Sequence, residues 1–333
     1  MSGYDFKVFK GSASGEIVES TTHRPELTGH QVYLELTHSG VCGTDVHFKQ
    51  ADMGLGHEGV GVVRAIGPEV TTLKMQVPFP ISPRLTTPTN NITEATEQVG
   101  DGCKKAAAPA NGSFASGSVQ DERFLFKIPD SLPSEAAAPL MCAGITVFAP
   151  LTQYGVKSTD VVGVVGIGGL GHLAIQFANK MGCEVVALSG TESKKEEAFK
   201  LGAHHFIATK DAKELSVPRK INHLLVTTSF MPDLDQYSSI LAPMAQVFPL
   251  MVTSFDAKLE VPFMKFLLRG WRFVGCTGAP KIVYQQMLQF AGLHGVRPVI
   301  ERFPMSKVGV EESMQKLAEG KMRYRGVLFA EEA

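Results

Sequence analysis

Residues 161–178, VVGVVGIGGLGHLAIQFA, decide the fold. A β-branched apolar run, VVGVV, meets the glycines Gly166, Gly168, Gly169 and Gly171, and a segment with helical spacing follows. Leu173 stands four residues before Phe177, and Ala174 four before Ala178, the spacing that stacks side chains on one helix face. The stretch reads as a buried strand, a tight turn and a helix. Glycines there let backbone N–H groups approach a pyrophosphate closely, and the helix N-terminus adds unpaired donors and partial positive charge. The window carries no formal charge, but its glycines, His172 and Gln176 argue against a membrane span. A dinucleotide site is expected.

Beyond the turn the alternation is regular. The strand CEVVALS (183–189) precedes a charged helix, SKKEEAFKLGA, with Gly202 placed as its stop. Short strands HHFIAT, HLLVTT, AQVFPLM and RFVGCT follow, separated by helical or turn segments such as PDLDQYSSIL. Strands alternating with helices predict an α/β protein with a doubly wound parallel sheet. From residue 279 the pattern runs through an amphipathic helix, IVYQQMLQFAGLHG, then PVIERFPM, a helix around VEESMQKLAEG, and the strand-like RYRGVLFA. Towards the N-terminus, residues 6–10, 31–37 and 60–66 read as strands, and 123–128 as ordered chain. Ser134 is placed to cap a short helix, and a second helix starts at Thr146. Residues 75–118, rich in Pro, Thr, Asn and Ala, read as a long loop.

The chain has 333 residues, 44% of them hydrophobic, enough for two cores. A net charge of −1 leaves no electrostatic footprint for nucleic acid or an anionic membrane. Five scattered cysteines, an odd number, point to reduced thiols rather than a disulfide framework. The opening MSGYDFKVFK lacks a signal-peptide layout and the closing FAEEA a lipidation signal; it is the cysteine usage that makes a cytoplasmic protein the expectation.

Cys42, His57, Glu58 and Cys142 form the candidate metal set. Two thiolates and an imidazole suit Zn²⁺, and three protein ligands leave a fourth position for water or substrate. The spacing admits another reading for each residue: the cysteines as buried apolar thiols, His57 as a hydrogen-bonded core histidine.

The ordered motifs GVCGTDVH, GHEGVGVV, LMCAGIT and GIGGLG resemble the zinc-dependent medium-chain alcohol dehydrogenases, in the NADP-dependent cinnamyl-alcohol-dehydrogenase-like branch. The resemblance spans residues 6–74 and 113–333. It implies a Rossmann doubly wound sheet at 144–278 and a GroES-like β-rich catalytic domain at 1–143, completed by 279–333. It implies that Cys42, His57 and Cys142 hold a catalytic zinc, with Glu58 behind it as occasional ligand or tuner of exchange. Asp45 is implied to orient His57, and Thr44 and His47 to form a proton relay. Thr146, the glycine turn with Leu170, and Arg325 on the pyrophosphate are implied cofactor contacts. The implied partners are NADP(H) and a small alcohol or aldehyde, with no nucleic acid and no membrane, and the resemblance admits a homodimer.

Cofactor choice turns on the end of the second strand. NAD sites place an acidic residue about 20 residues beyond the glycines, on the ribose 2′-OH. Here Ser189, Gly190 and Thr191 stand there, with Ser193, Lys194 and Lys195 close by and Glu192 the one acid. Hydroxyls and lysine suit a 2′-phosphate, which a carboxylate would repel. NADP(H) is expected.

Members of the family usually carry four closely spaced cysteines on a structural zinc, whereas residues 75–118 hold only Cys103. No structural zinc is expected. Either the lobe is remodelled, or the segment is damaged and the catalytic domain lacks a core strand. Two rival functions follow: a zinc-free enone or quinone reductase, and a non-catalytic NADP-binding protein. Met53, Leu55, Phe114 and Met251 are candidates for either a substrate pocket or ordinary core packing.

Overall fold

The structure, a computed structural model, describes residues 3–72, 112–251 and 257–330, and the backbone alone of 84–88. In chain order the first strands are β1 (Tyr4–Lys10), β2 (Val18–Arg24), β3 (Gln31–Val41), β4 (Glu58–Ile66), β5 (Arg84–Pro88), β6 (Gly117–Asp121) and β7 (Phe126–Lys127). They continue with β8 (Val161–Val165), β9 (Glu184–Ser189), β10 (His205–Ala208), β11 (Ile221–Val226), β12 (Leu241–Pro249) and β13 (Arg272–Phe273). β14 (Ile300–Pro304) and β15 (Arg325–Phe329) close the series. The chain forms two compact units, Met1–Ile145 with Gly278–Ala333, and Thr146–Thr277.

The first unit is built on a sheet ordered β14-β15-β3-β4-β5-β7, with β6 also paired to β3, and on the hairpin β1-β2. β3 shows why: Val32, Leu34 and Leu36 alternate inward with a period of two, into a core with Phe6, Val8 and Ala115. A second core gathers Phe9, Val41, Leu55, Phe114, Phe303 and Leu328. Leu55 and Phe114 are therefore core residues and not a substrate lining; no solvent reaches Phe114.

Two local readings are corrected. Ser134 is the first residue of its helix rather than its cap, and the helix does not stop before Thr146. Ser134–Pro139 runs through a π turn, Leu140–Gly144, straight into Ile145–Gln153. This stretch is long and apolar enough to cross a membrane by length and composition alone, but 78% of it is buried inside the protein. The loop reading of 75–118 also fails in part. β5 pairs antiparallel with β4 from Glu58↔Pro88 to Val62↔Arg84, and β6 begins at Gly117. The remainder of that segment, Cys103 and the structural-zinc question with it, lies outside the described residues.

Glu122 anchors the chain on one side of that segment. Its carboxylate accepts the backbone N–H of Thr71 and Thr72, the Thr72 hydroxyl at 2.6 Å and the His30 Nδ1–H at 2.7 Å. Burial opposes the charge, but these donors win and hold the carboxyl down to about 2. A depressed acid stabilises the fold fully above its unfolded value, near 4.5, and loses that stabilisation as pH falls towards 2. Glu122→Gln is expected to cost about 1–3 kcal/mol at pH 7. In thermal melts its deficit against wild type should shrink as pH falls from 4.5 to 3; a deficit constant with pH would refute the assignment.

The second unit is a parallel sheet ordered β10-β9-β8-β11-β12-β13. Counted from β8, this is the order 3-2-1-4-5-6 of dinucleotide-binding sheets, whose ligand lies off the carboxyl ends of the strands at the reversal point. Val161–Val165 is wholly buried at the centre, as its unbroken apolar run requires. Leu173, Ala174, Phe177 and Ala178 are inaccessible to solvent on the next helix, Gly171–Lys180. Gly202 ends the Lys195–Leu201 helix with a φ of 108°, in the left-handed conformation that glycine adopts without strain.

Candidate active site

The candidate metal ligands are delivered by a one-turn helix, a strand start and the π turn. Cys42 follows β3 and caps the helix Gly43–His47. Asp45, at the third helical position, accepts the Cys42 backbone N–H at 2.9 Å, closing a capping box. The other oxygen of that carboxylate accepts from Gly56 N–H at 3.1 Å and from His57 Nδ1–H at 2.9 Å. One buried carboxylate thus fixes the helix start and the tautomer of His57, leaving Nε2 to face the cluster. Asp45→Asn is expected to weaken zinc binding about 10–100-fold in competition with a chelator. Unchanged affinity would mean that something else orients the ring.

Cys142 comes from the π turn Leu140–Gly144; an extra residue per turn of this kind recurs at functional sites. The sequence named Cys142 but gave no sign of the π turn. Cys42 Sγ and Cys142 Sγ lie 3.8 Å apart. A tetrahedral shell with Zn–S bonds of ~2.3 Å has an edge of about 3.8 Å, so the pair is spaced as two corners. The donor atoms of Cys42, His57, Glu58 and Cys142 all lie within 4.8 Å of one another. Among the described residues, His57 Nε2 and Glu58 Oε2 are buried with no hydrogen-bond partner. Orphaned buried polar atoms are costly, and a cation bound by the two sulfurs would satisfy His57 Nε2. The residues fit zinc.

A proton shared with Cys142 holds the Cys42 thiol well below its usual value despite burial, while Cys142 is pushed up. Burial disfavours a charged His57, but the Asp45 charge and hydrogen bond hold its pKa well above the usual imidazole value. Burial also pushes Glu58 up, to about 7, against the pull of Arg325. Arg325, at the start of β15, donates to Glu58 Oε1, and both side chains are buried. The structure thus sets Arg325 at the metal cluster, a duty that the resemblance, which assigned it to pyrophosphate, did not imply.

Thr44 is half-buried, its hydroxyl 3.8 Å from Cys42 Sγ, and His47, one turn on, is exposed. The two share a helix face three residues apart, one end at the cluster and the other in water.

In the second unit the turn Gly166–Gly171 leaves β8. Gly166 has a φ of 89°, and a Cβ on Gly171 would strike the Gly166 carbonyl, so neither position accepts a side chain. Around Gly168 there is open space, which a pyrophosphate can enter. The Thr227 hydroxyl bonds the carbonyls of Val165 and Gly166 and fixes the turn. Ser189 ends β9, and Thr191 and Ser193 are exposed and mutually hydrogen-bonded at 2.8 Å. Glu192 pairs with Lys195 at 3.1 Å. Lys194 donates to the Ile167 carbonyl at 2.6 Å, tying the hydroxyl-rich loop to the glycine turn. Thr146, Gly169 and Leu170 are half-buried in the same unit.

Residues 28–130 match the family described as alcohol dehydrogenase GroES-like domain, and 169–292 the family described as zinc-binding dehydrogenase. The chain is 33% identical over 335 residues to a probable formaldehyde dehydrogenase of Bacillus subtilis, covering 95% of each. It is 31% identical over 338 residues to an NADP-dependent alcohol dehydrogenase of Mycolicibacterium smegmatis, again covering 95% of each. Among solved structures, a cinnamyl alcohol dehydrogenase of Sorghum bicolor superposes with a TM-score of 0.82 at 28% identity, over 98% of both chains. With the glycine turn in one unit and the four-donor cluster in the other, the chain belongs to the zinc-type medium-chain alcohol dehydrogenases, in the cinnamyl-alcohol-dehydrogenase-like branch of these NADP(H)- and zinc-dependent oxidoreductases.

Proposed function

We propose that this chain transfers a hydride between NADP(H) and a small alcohol or aldehyde, with one catalytic zinc held by Cys42, His57 and Cys142. The observation that carries this reading is the cluster of four side chains with donor atoms within 4.8 Å, in which His57 Nε2 is buried with no partner among the described residues. A zinc-free enone reductase has no use for such a set. When bound, zinc supplies Lewis acidity to a carbonyl oxygen and the nicotinamide supplies the hydride. The chain's own residues do the rest. Asp45 keeps His57 Nε2 available, Glu58 and Arg325 balance charge behind the ligands, and Thr44 and His47 offer a proton route from the cluster to solvent. Ser189, Thr191, Ser193 and Lys194 support selection of a 2′-phosphate, and Glu192, occupied by Lys195, does not oppose it.

The homodimer admitted by the resemblance draws support from the helix Phe263–Arg269. It buries no residue, and it exposes Phe263, Met264, Leu267 and Leu268 shortly before the sheet-edge strand β13. A cytoplasmic location rests on the scattered, odd cysteines alone. The test is elemental analysis of purified protein together with NADPH and NADH oxidation over a panel of aldehydes. About one zinc per chain and turnover favouring NADPH are expected. Folded protein that holds no zinc overturns the reading, and one that binds NADPH but reduces no aldehyde identifies a non-catalytic binder.

A further inference from the structure

Gly40 lies inside β3, opposite Glu58 of β4 on one side and Val327 of β15 on the other. Glycine inside a strand weakens it and marks a bulge or a close approach. The irregularities of the β3–β4 ladder fall between Tyr33 and Leu34 and between Leu36 and His38, away from residue 40. Nor is Gly40 among the glycines with positive φ, so its backbone accepts any L-residue. What excludes a side chain there is Glu58. A Cβ on Gly40 would land on Glu58 Oε2, well inside contact distance, with Cδ at 2.9 Å and Cβ at 3.1 Å. All three nearest atoms belong to that one glutamate.

Directly opposed residues of an antiparallel pair share a face of the sheet, so the missing side chain at 40 leaves a notch beside Glu58. The atom in the notch is Oε2, which has no hydrogen-bond partner among the described residues; Oε1 is held by Arg325. We propose that Gly40 is a positioning residue whose absent side chain is the berth of the Glu58 carboxylate, keeping it beside the Cys42, His57 and Cys142 donors rather than among them. This rests on the metal reading above.

The test uses Co²⁺ in the full chain as wild type, Gly40→Ala, Glu58→Ala and the double variant, read by visible absorption. Wild type should show thiolate-to-cobalt charge transfer with intense tetrahedral ligand-field bands. In Gly40→Ala the methyl fills the berth and drives an oxygen into the shell, so those bands should fall about twofold or more as coordination rises above four. In the Glu58→Ala background the same methyl meets no carboxylate, and the double variant should superimpose on Glu58→Ala. Identical spectra for wild type and Gly40→Ala overturn the proposal, as does an equal effect of the methyl with and without Glu58. If Gly40→Ala fails to fold, the double variant must fold as Glu58→Ala does; its failure would show that Gly40 serves the sheet. Wild type that shows no thiolate charge transfer takes down the metal reading and this proposal together, whereas the other failures leave the metal reading standing.

Discussion

In Cys142→Ser, zinc is expected to fall from about one ion per chain to under about a tenth, and NADPH-dependent aldehyde reduction to drop by about three orders of magnitude. The size follows from what is removed. In the proposed site Cys142 is one of three protein ligands, and its sulfur sits 3.8 Å from Cys42 Sγ, the spacing of two zinc-bound thiolates. Serine places a hard, weakly acidic hydroxyl where a thiolate is needed, so the shell loses both charge and softness. A Lewis acid worth several kcal/mol at the carbonyl corresponds to about 10³-fold or more in rate. NADPH affinity should survive, because the glycine turn belongs to the other unit. Elemental analysis and fluorescence titration with NADPH read the two halves separately. Zinc retained at the wild-type level would show that Cys142 is not a ligand.

Arg325→Met is expected to destabilise the first unit by about 3 kcal/mol, a fall in Tm of roughly 10 °C. Glu58 is fully buried, and Arg325 is the one hydrogen-bonding partner of its side chain among the described residues, so removal leaves a buried carboxylate without that counter-charge. The loss is bounded because Glu58, already raised to about 7, escapes by taking up a proton. Breaking one side of a buried pair costs more than replacing both, so Arg325→Met with Glu58→Leu should recover part of the Tm. Calorimetry on the three variants decides. A single variant that melts with the wild type would mean that the pair is solvated in a way the packing does not show.

The dinucleotide-binding unit was legible because its signals are local. Apolar runs, i,i+4 pairs and punctuating glycines specify β8, the turn and the following helix without reference to the rest of the chain. The metal ligands were legible as residue types, and the resemblance ordered them. What joins them was not. The π turn that presents Cys142 depends on how Leu140 and Met141 pack, and a 3.6-residue pattern carries no mark of it. β2 reads VESTTHR, with no buried residue to alternate, so only its pairing to β1 reveals it. Arg325 read as a pyrophosphate contact; its hydrogen bond to Glu58, 267 residues away, left no mark in the sequence. Leu55 and Phe114 resembled pocket residues because hydrophobicity alone does not say which side of a wall a side chain faces.

That span of 267 residues has a consequence for biosynthesis. All four candidate metal ligands leave the ribosome well before Arg325 is made, so for most of translation Glu58 has no counter-charge to accompany it into the core. β15, which carries the arginine, also inserts between β14 and β3, so the sheet behind the ligands is completed by the same late event. The nascent thiolates can capture a metal ion early, but a dry, charge-balanced site forms only when this distant strand docks. The centre is therefore completed later than the dinucleotide-binding unit, a continuous stretch that has all its strands in hand sooner. Chains interrupted before residue 325 would keep a nucleotide fold and no finished metal site.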